Sequence, residues 1–430
     1  HWNEVMPVRT LRYGMSGTDV MEMQAMLRKI GLNPGPEDGK FGSQTKSAVQ
    51  SFQRRFGLVP DGIVGPATWR VMERFLLGYD LYTVRPGNTI WGIARAYGTT
   101  VEAILTATGV DPENLAIGRQ LVIPYDIPVV DTNIDYTYAV LERDIQGLKA
   151  RYPFIEVGVA GQSVLGKNLY YLCIGEGPNE VFYNASHHAL EWITTPVLMK
   201  FVEDFASAYS RGQLLGSGYS PAEIYRQSSL YFIPMVNPDG VDLVLDGLSP
   251  DNPYYSQLIQ WNGGSSDFST VWQANIRGVD LNHNYNAAWE QSKEAEAELG
   301  ITGPGPTRFS GPAPESEPET RAVADFTRNR NFRLVMAYHS QGEVIFWDFM
   351  NLAPPEARAI GEQFARVSGY ALASPEGIAS YAGYKDWFIQ EWRRPGYTIE
   401  VGRGRNPLPI SQFDAIYARN LNMLLLAATV

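Results

Sequence analysis

Cysteine is almost absent from this chain: Cys173 stands alone among 430 residues. That count excludes an internal disulfide framework and a thiolate metal site. The setting Tyr170-Tyr171-Leu172-Cys173-Ile174 reads as a buried, inert thiol. Positive charge is short as well. Lys and Arg number 35 against 46 Asp and Glu, a net charge of −11, which argues against nucleic acid, whose phosphates demand basic surfaces. No apolar run reaches membrane-spanning length; Met423-Leu424-Leu425-Leu426-Ala427-Ala428 is far too short. What remains is 44% hydrophobic and 19% charged, the composition of a soluble globular protein, long enough for about two or three domains. The chain begins at His1 rather than Met, the expectation being that a leader or tag has been removed.

Histidine occurs only five times, and its placement carries chemistry. His188 opens His188-Ala189-Leu190-Glu191-Trp192-Ile193, just past Val181-Phe182-Tyr183, a short apolar run of the buried-strand kind. His339 closes the run Leu334 to Tyr338, and Glu400 lies in Tyr397-Thr398-Ile399-Glu400-Val401. Sites in α/β sheets gather beyond strand ends. At i and i+3 in one helical turn, His188 and Glu191 share a face and reach one metal. With His339 they supply two imidazoles and a carboxylate, three protein ligands that leave a zinc position open for water. Glu400 is then the general base beside that water, or else an ion-pair partner at a strand end. His187 points elsewhere and reads as packing or as support for the ligands.

The first 80 residues carry an internal echo. Asp38-Gly39-Lys40-Phe41-Gly42-Ser43-Gln44-Thr45 recurs as Asp61-Gly62-Ile63-Val64-Gly65-Pro66-Ala67-Thr68. Each Asp-Gly suits a tight turn, and each Gly before Ser or Pro suits entry into a helix. Val20, Met23, Leu27 and Ile30 share a helical face with Gly31 as a stop, and Val49, Phe52 and Phe56 make a second stripe. This resembles a peptidoglycan-binding three-helix module. Next, Tyr82-Thr83-Val84 can pair with Leu121-Val122-Ile123-Pro124. Between them lie a helix with Ile90, Ile93, Ala94 and Tyr97, and a second opened by a Thr99–Glu102 capping box. Strand, helix, helix, strand resembles a LysM domain, a family that binds glycans containing N-acetylglucosamine. Asp126 to Asp131 reads as a linker.

Beyond it a helix with Tyr138, Leu141, Ile145, Leu148 and Tyr152 on one face is stopped by Pro153. Buried-strand runs follow at Ile155–Val159, Tyr170–Ile174, Val181–Tyr183 and Tyr231–Val236, and Ser316 with Glu319 caps a helix leading towards His339. From about Asn133 to Val430 the chain resembles the zinc carboxypeptidase (carboxypeptidase A-like) metallopeptidase family. The landmarks run in order: His188 to Ile193, Asn237-Pro238-Asp239-Gly240, Gly278-Val279-Asp280-Leu281-Asn282-His283-Asn284, Ser310-Gly311-Pro312, Ser316 to Thr320, His339-Ser340, Asp386-Trp387 and Thr398-Ile399-Glu400.

The resemblance implies a mixed eight-stranded sheet flanked by helices, an α/β/α sandwich. It implies one zinc ion held by His188, Glu191 and His339, with Glu400 as base. Arg277 is the candidate for the oxyanion, since Gln273 stands where many members place that arginine. The family's Asn-Arg clamp for a terminal carboxylate is Asn282-His283 here, and an imidazole replaces a bidentate guanidinium poorly. Lys385 lines the leaving-side pocket or is a solvated surface charge; in the pocket it favours a side chain bearing a carboxylate, such as that of meso-diaminopimelate. Glu343 is a partner for that residue's amine, and Tyr381 is a further substrate contact. The Gly/Pro-rich stretch Gly300 to Pro318 reads as a rim over the cleft or as a plain surface loop.

The expected organisation is a peptidoglycan-binding helical domain at 9–78, a βααβ LysM domain at 80–125 and an α/β catalytic domain at 131–430. The expected activity resembles that of the bacterial γ-D-glutamyl-L-diamino acid endopeptidases, which act on cell-wall stem peptides next to diaminopimelate or lysine. The rivals are a general zinc carboxypeptidase tethered to the wall and a non-catalytic wall-binding protein. A secreted or wall-associated location follows, and assembly into a homodimer is compatible with the sequence.

Overall fold

The computed structural model describes residues 8–430; His1, on which the reading of the chain's start rests, lies outside the described residues. Two compact units result, one reaching to Asp135 and including Ala139–Ile155, the other made of Tyr136–Tyr138 and Glu156–Val430.

The first unit opens with helices α1 (Thr18–Lys29), α2 (Ser43–Arg55) and α3 (Pro66–Leu77). Their apolar stripes meet as the repeat requires: Val20, Met23, Leu27, Val49 and Phe52 are all in one core. Each Asp-Gly forms the expected turn, with Gly39 at φ 74° and Gly62 at φ 75°, a region glycine enters without a Cβ penalty. The echo extends to a pair of buried glutamines. Gln24 accepts from Gly39 N at 2.9 Å and donates to the Lys40 carbonyl at 2.9 Å. Gln53 accepts from Gly62 N at 2.9 Å and donates to the Ile63 carbonyl at 3.0 Å.

Strands β1 (Tyr79–Thr83) and β2 (Gln120–Pro124) pair antiparallel, with Tyr82 opposite Leu121. Between them run α4 (Ile90–Tyr97) and α5 (Val101–Thr108). The cap of α5 is Thr100, whose hydroxyl accepts from Ala103 N; the expected cap at Thr99 is displaced by one residue. Helix α6 (Tyr138–Arg151) contributes Arg143 to an ion pair with buried Glu22 of α1. Its Gly147 has a packing reason, because a Cβ there would collide with the Leu77 carbonyl.

The second unit is built on an eight-stranded mixed sheet. Its strands are β3 (Glu156–Gln162), β4 (Asn168–Gly175), β5 (Asn179–Ala185), β6 (Ser228–Ile233), β7 (Phe332–Ser340), β8 (Val344–Phe346), β9 (Ala371–Ala373) and β10 (Gly396–Val401). They lie in the order β3-β4-β6-β5-β7-β10-β8-β9. The middle, β6-β5-β7-β10, is parallel, and it is antiparallel at β3/β4, β4/β6 and β10/β8. Helices α7 (Thr194–Ser210), α8 (Pro221–Gln227), α9 (Pro238–Asp246), α10 (Tyr255–Trp261), α11 (Trp289–Glu298), α12 (Pro318–Arg328), α13 (Pro355–Ser368), α14 (Tyr384–Trp392) and α15 (Phe413–Ala427) complete the unit.

Most of the apolar runs read as buried strands are buried: Val181, Phe182, Tyr183, Leu334, Val335 and Met336 are all 0% exposed. The run Ile155–Val159 is not, because it enters β3 at the edge of the sheet, where Val159 is 48% exposed. The parallel arrangement brings the ends of β5, β7 and β10 to one edge, where a ligand site belongs. Ser316 does not cap α12. The residue before its first turn is Glu317, with no side-chain cap, and Pro318 at the start makes one backbone N–H irrelevant.

Candidate active site

His188 follows β5 by three residues and sits in extended backbone (φ −97°, ψ 131°) ahead of a single 3-10 turn, Ala189–Glu191. The expected helical turn is thus a tighter one, and it still brings the two side chains together. His188 Nδ1 lies 2.7 Å from Glu191 Oε2. His339, next to last in β7, places its Nδ1 3.1 Å from Glu191 Oε1. One ligand atom from each of the three residues lies within 4.8 Å of the others. The Ser340 N–H steadies Glu191 Oε1 at 2.9 Å, and the Gln273 amide donates to Oε2 at 2.8 Å.

This donor set fits zinc. The other ring nitrogen of His188, Nε2, lies 2.8 Å from Asp280 Oδ1. A carboxylate there accepts a hydrogen bond from Nε2–H and leaves the Nδ1 lone pair facing the metal position, the usual support for a ligating histidine. The electrostatics agree. Burial alone would raise the Glu191 carboxyl, but His188 and His339 outweigh it and hold it down at about 2. Asp280 is likewise held far below the usual carboxylate range: its burial is outweighed by His188 and His283 and by bonds from His188 and the Arg308 N–H. Buried His187 has its basicity pushed down, first by burial and then by His339 and His188; its Nε2 is 2.9 Å from the Tyr285 hydroxyl.

Glu400 lies on β10 directly opposite His339 in the parallel pairing. Burial pushes its carboxyl well above the ordinary range, and the Glu191 charge adds to that. His283 and Asn282 close a second 3-10 turn, Leu281–His283. His283 Nδ1 is 3.0 Å from the Tyr381 carbonyl, and Asn282 Oδ1 accepts from Tyr384 N at 3.1 Å. These residues form one cluster along the segment that also carries Asp280.

Three other residues singled out in the sequence are engaged elsewhere. Arg277 donates through Nε to Glu317 at 2.8 Å and to the Ser316 carbonyl. Lys385 is buried rather than solvated, its ammonium 2.8 Å from Asp386 Oδ1 and bonded to the Asp348 carbonyl. Glu343 receives Arg403 at 2.7 Å. The sequence alone assigns Asp280 no role of its own and marks Gln273 only as standing where the resemblance expects an arginine. The signal for both was adjacency to landmarks, since each contacts the triad across roughly 80 to 90 residues.

A His-x-x-Glu turn and a distant His on the ends of neighbouring parallel strands, with a carboxylate behind the first His, define a zinc metallopeptidase. The zinc carboxypeptidase profile matches residues 141–423, and the chain belongs to that family. A peptidoglycan-binding domain profile matches residues 16–72 and a LysM domain profile residues 82–124. Gamma-D-glutamyl-L-diamino acid endopeptidase 1 of Lysinibacillus sphaericus is 46% identical over 297 residues, covering 69% of this chain and 73% of that one. YqgT of Bacillus subtilis (strain 168) is 38% identical over 285 residues, 66% of this chain and 74% of its own. Bovine thrombin-activatable fibrinolysis inhibitor, solved with a tick inhibitor, shares the fold at a TM-score of 0.52 and 19% identity, over 68% of this chain and 96% of that one. No helix among the described residues is long and apolar enough to cross a membrane.

Proposed function

We propose that this metallopeptidase hydrolyses the bond between γ-D-glutamate and the diamino acid of peptidoglycan stem peptides, at the cell wall. The observation that carries the reading is the 46% identity over 297 residues to a relative named for that cleavage. Two others support it. Wall-binding modules precede the enzyme, so its substrate is reached through glycan carrying N-acetylglucosamine. The clamp position holds His283, with Nδ1 at the Tyr381 carbonyl, so a free terminal carboxylate meets no bidentate guanidinium there.

His188, Glu191 and His339 would hold the zinc ion, which when bound would supply Lewis-acid charge for the scissile carbonyl and acidify water. Glu400 is the base: it takes a proton from the attacking water and hands it to the leaving amine as the C–N bond breaks. A dry setting that lifts its affinity for protons suits that transfer. Asp280 keeps His188 in its metal-facing tautomer. Asn282, His283 and Tyr381 border the leaving side. A substrate role for Arg277, Lys385 or Glu343 requires each to leave the pair it makes here with Glu317, Asp386 or Arg403.

The test is mass spectrometry of digested muropeptides. Release of L-Ala-D-Glu and a fragment beginning with the diamino acid is expected. Trimming of ordinary L-peptides from their C-termini, with stem peptides left whole, would replace the proposal with a general carboxypeptidase.

A further inference from the structure

Beside Asp280 lies a cavity of about 630 Å³ bounded by Trp261 and the segment from Leu299 to Arg308, within the size range of small-ligand sites. The segment holds the first part of the Gly/Pro-rich stretch Gly300 to Pro318, which the sequence leaves open as rim or plain loop. The segment's second half is bonded to the strip that carries the site. Gln273 and Ala274 N–H groups reach the Pro306 carbonyl at 2.8 and 3.0 Å, Gly305 N reaches the Gly278 carbonyl at 3.1 Å, and Asp280 N reaches the Phe309 carbonyl at 2.7 Å.

Arg308 ends the segment in left-handed backbone, φ 68°, which a non-glycine residue adopts at a cost. Its N–H bonds Asp280 Oδ2 at 3.0 Å, behind the ligand His188. Its side chain is exposed and has no ion-pair or hydrogen-bond partner among the described residues. It is also the one charged side chain lining the cavity, in a protein whose net charge is −11. Two glycines in the wall add to this. Gly303 and Gly305 have no left-handed φ, and a Cβ would meet nothing within 4 Å at Gly303 and nothing closer than 3.9 Å at Gly305. Neither turn geometry nor packing calls for a missing side chain there; its absence keeps the cavity open.

Asn282 and His283 bond to Tyr384 and Tyr381. The cavity segment borders the rest of the strip, from Gln273, whose amide donates to Glu191, to Asp280, which holds His188. On the acyl side of the scissile bond an ordinary peptide has no free backbone carboxylate, because the α-carboxyl is the bond being cut. A γ-linked glutamate does, since its side-chain carbonyl is the one cleaved.

We propose that this cavity is the acyl-side subsite and that Arg308 pairs with the free α-carboxylate of the γ-linked residue, so that it reads the γ-linkage itself. The inference rests on the proposed function and deepens it.

The experiment measures calorimetric binding of two dipeptides to the zinc-loaded full chain, L-Ala-D-Glu and L-Ala-D-isoglutamine, which lacks the α-carboxylate charge. The native protein is expected to favour the acid by about tenfold or more. Arg308→Gln should erase that preference, Arg308→Lys should keep part of it, and Gly303→Val should weaken both ligands. Thermal melting and zinc content of each variant show whether it is folded. Equal binding of both dipeptides by the native protein, or an unchanged preference in folded Arg308→Gln, overturns the subsite. Hydrolysis of the stem tripeptide is followed in parallel. Preference through Arg308 without any stem-peptide cleavage sinks the proposed function and leaves the subsite standing; cleavage without preference does the reverse.

Discussion

Glu400 and His339 face each other across the parallel pairing of β10 with β7. The register of a buried sheet is fixed by which side chains it must hide, and Val401, Ile399 and Tyr397 are each 0% exposed around Glu400. The proposed base is thereby placed beside a ligand by strand pairing rather than by a loop, which suits a group whose position must hold within a fraction of an ångström.

Glu400→Gln keeps the shape and removes the proton acceptor. Turnover on a stem peptide is expected to fall by about 10²- to 10⁴-fold, with one zinc still bound by elemental analysis. Near-normal turnover at full zinc content would remove Glu400 from the chemistry.

Asp280→Asn separates orientation from ligation. Its bond to His188 Nε2 at 2.8 Å holds the ring, so zinc affinity should weaken by about 10- to 100-fold in a competition titration with a chelator. Activity should return when zinc is added in excess. Glu191→Gln loses a ligand itself and should not be rescued in that way.

The triad could be read from the sequence because histidines are scarce and strand ends are where ligands gather. The surrounding polar network could not. Asp280 lies inside a landmark motif and Gln273 near one, but their bonds to the triad form only when the chain is folded. Strands β8 and β9, each three residues long, are too short to show a period of two. The α12 cap is not at Ser316, because Glu317 and Glu319 are drawn inward, to Arg277, Asn275 and the Val164 N–H. In α5 two adjacent threonines offered the same cap, and only geometry chose Thr100. The repeat of the first module was visible in its Asp-Gly turns. Gln24 and Gln53 were hidden within helical stripes, where a glutamine ordinarily reads as surface.

Gln53 is 1% exposed, and its amide serves Asp61, the Ile63 carbonyl, Thr68 and the Gly62 N–H. Gln53→Ala leaves buried groups of that turn unpaired, at about 1–3 kcal/mol for each left unsatisfied. A lowered first transition in thermal unfolding is expected. Gln44→Ala, an exposed position on the same helix, serves as control and should leave the transition in place.

Burial of Glu319 predicts a pH dependence of stability whose sign follows from its raised carboxyl. It is 0% exposed, and burial, then the neighbouring Asp239 charge, pushes its carboxyl up from 4.5 to about 8. The folded state therefore holds a proton that the unfolded state has released across that window. Its stabilising contribution is complete below the unfolded value of 4.5 and is lost as pH climbs through about 8. Glu319→Gln mimics the protonated form at every pH. The native protein should lose stability on the order of a few kcal/mol relative to the variant between pH 5 and pH 9, read as diverging denaturant midpoints. Parallel curves for the two proteins across that range would show that Glu319 is already ionised in the fold, held by the Asn275 amide at 3.3 Å and the Val164 N–H at 3.4 Å.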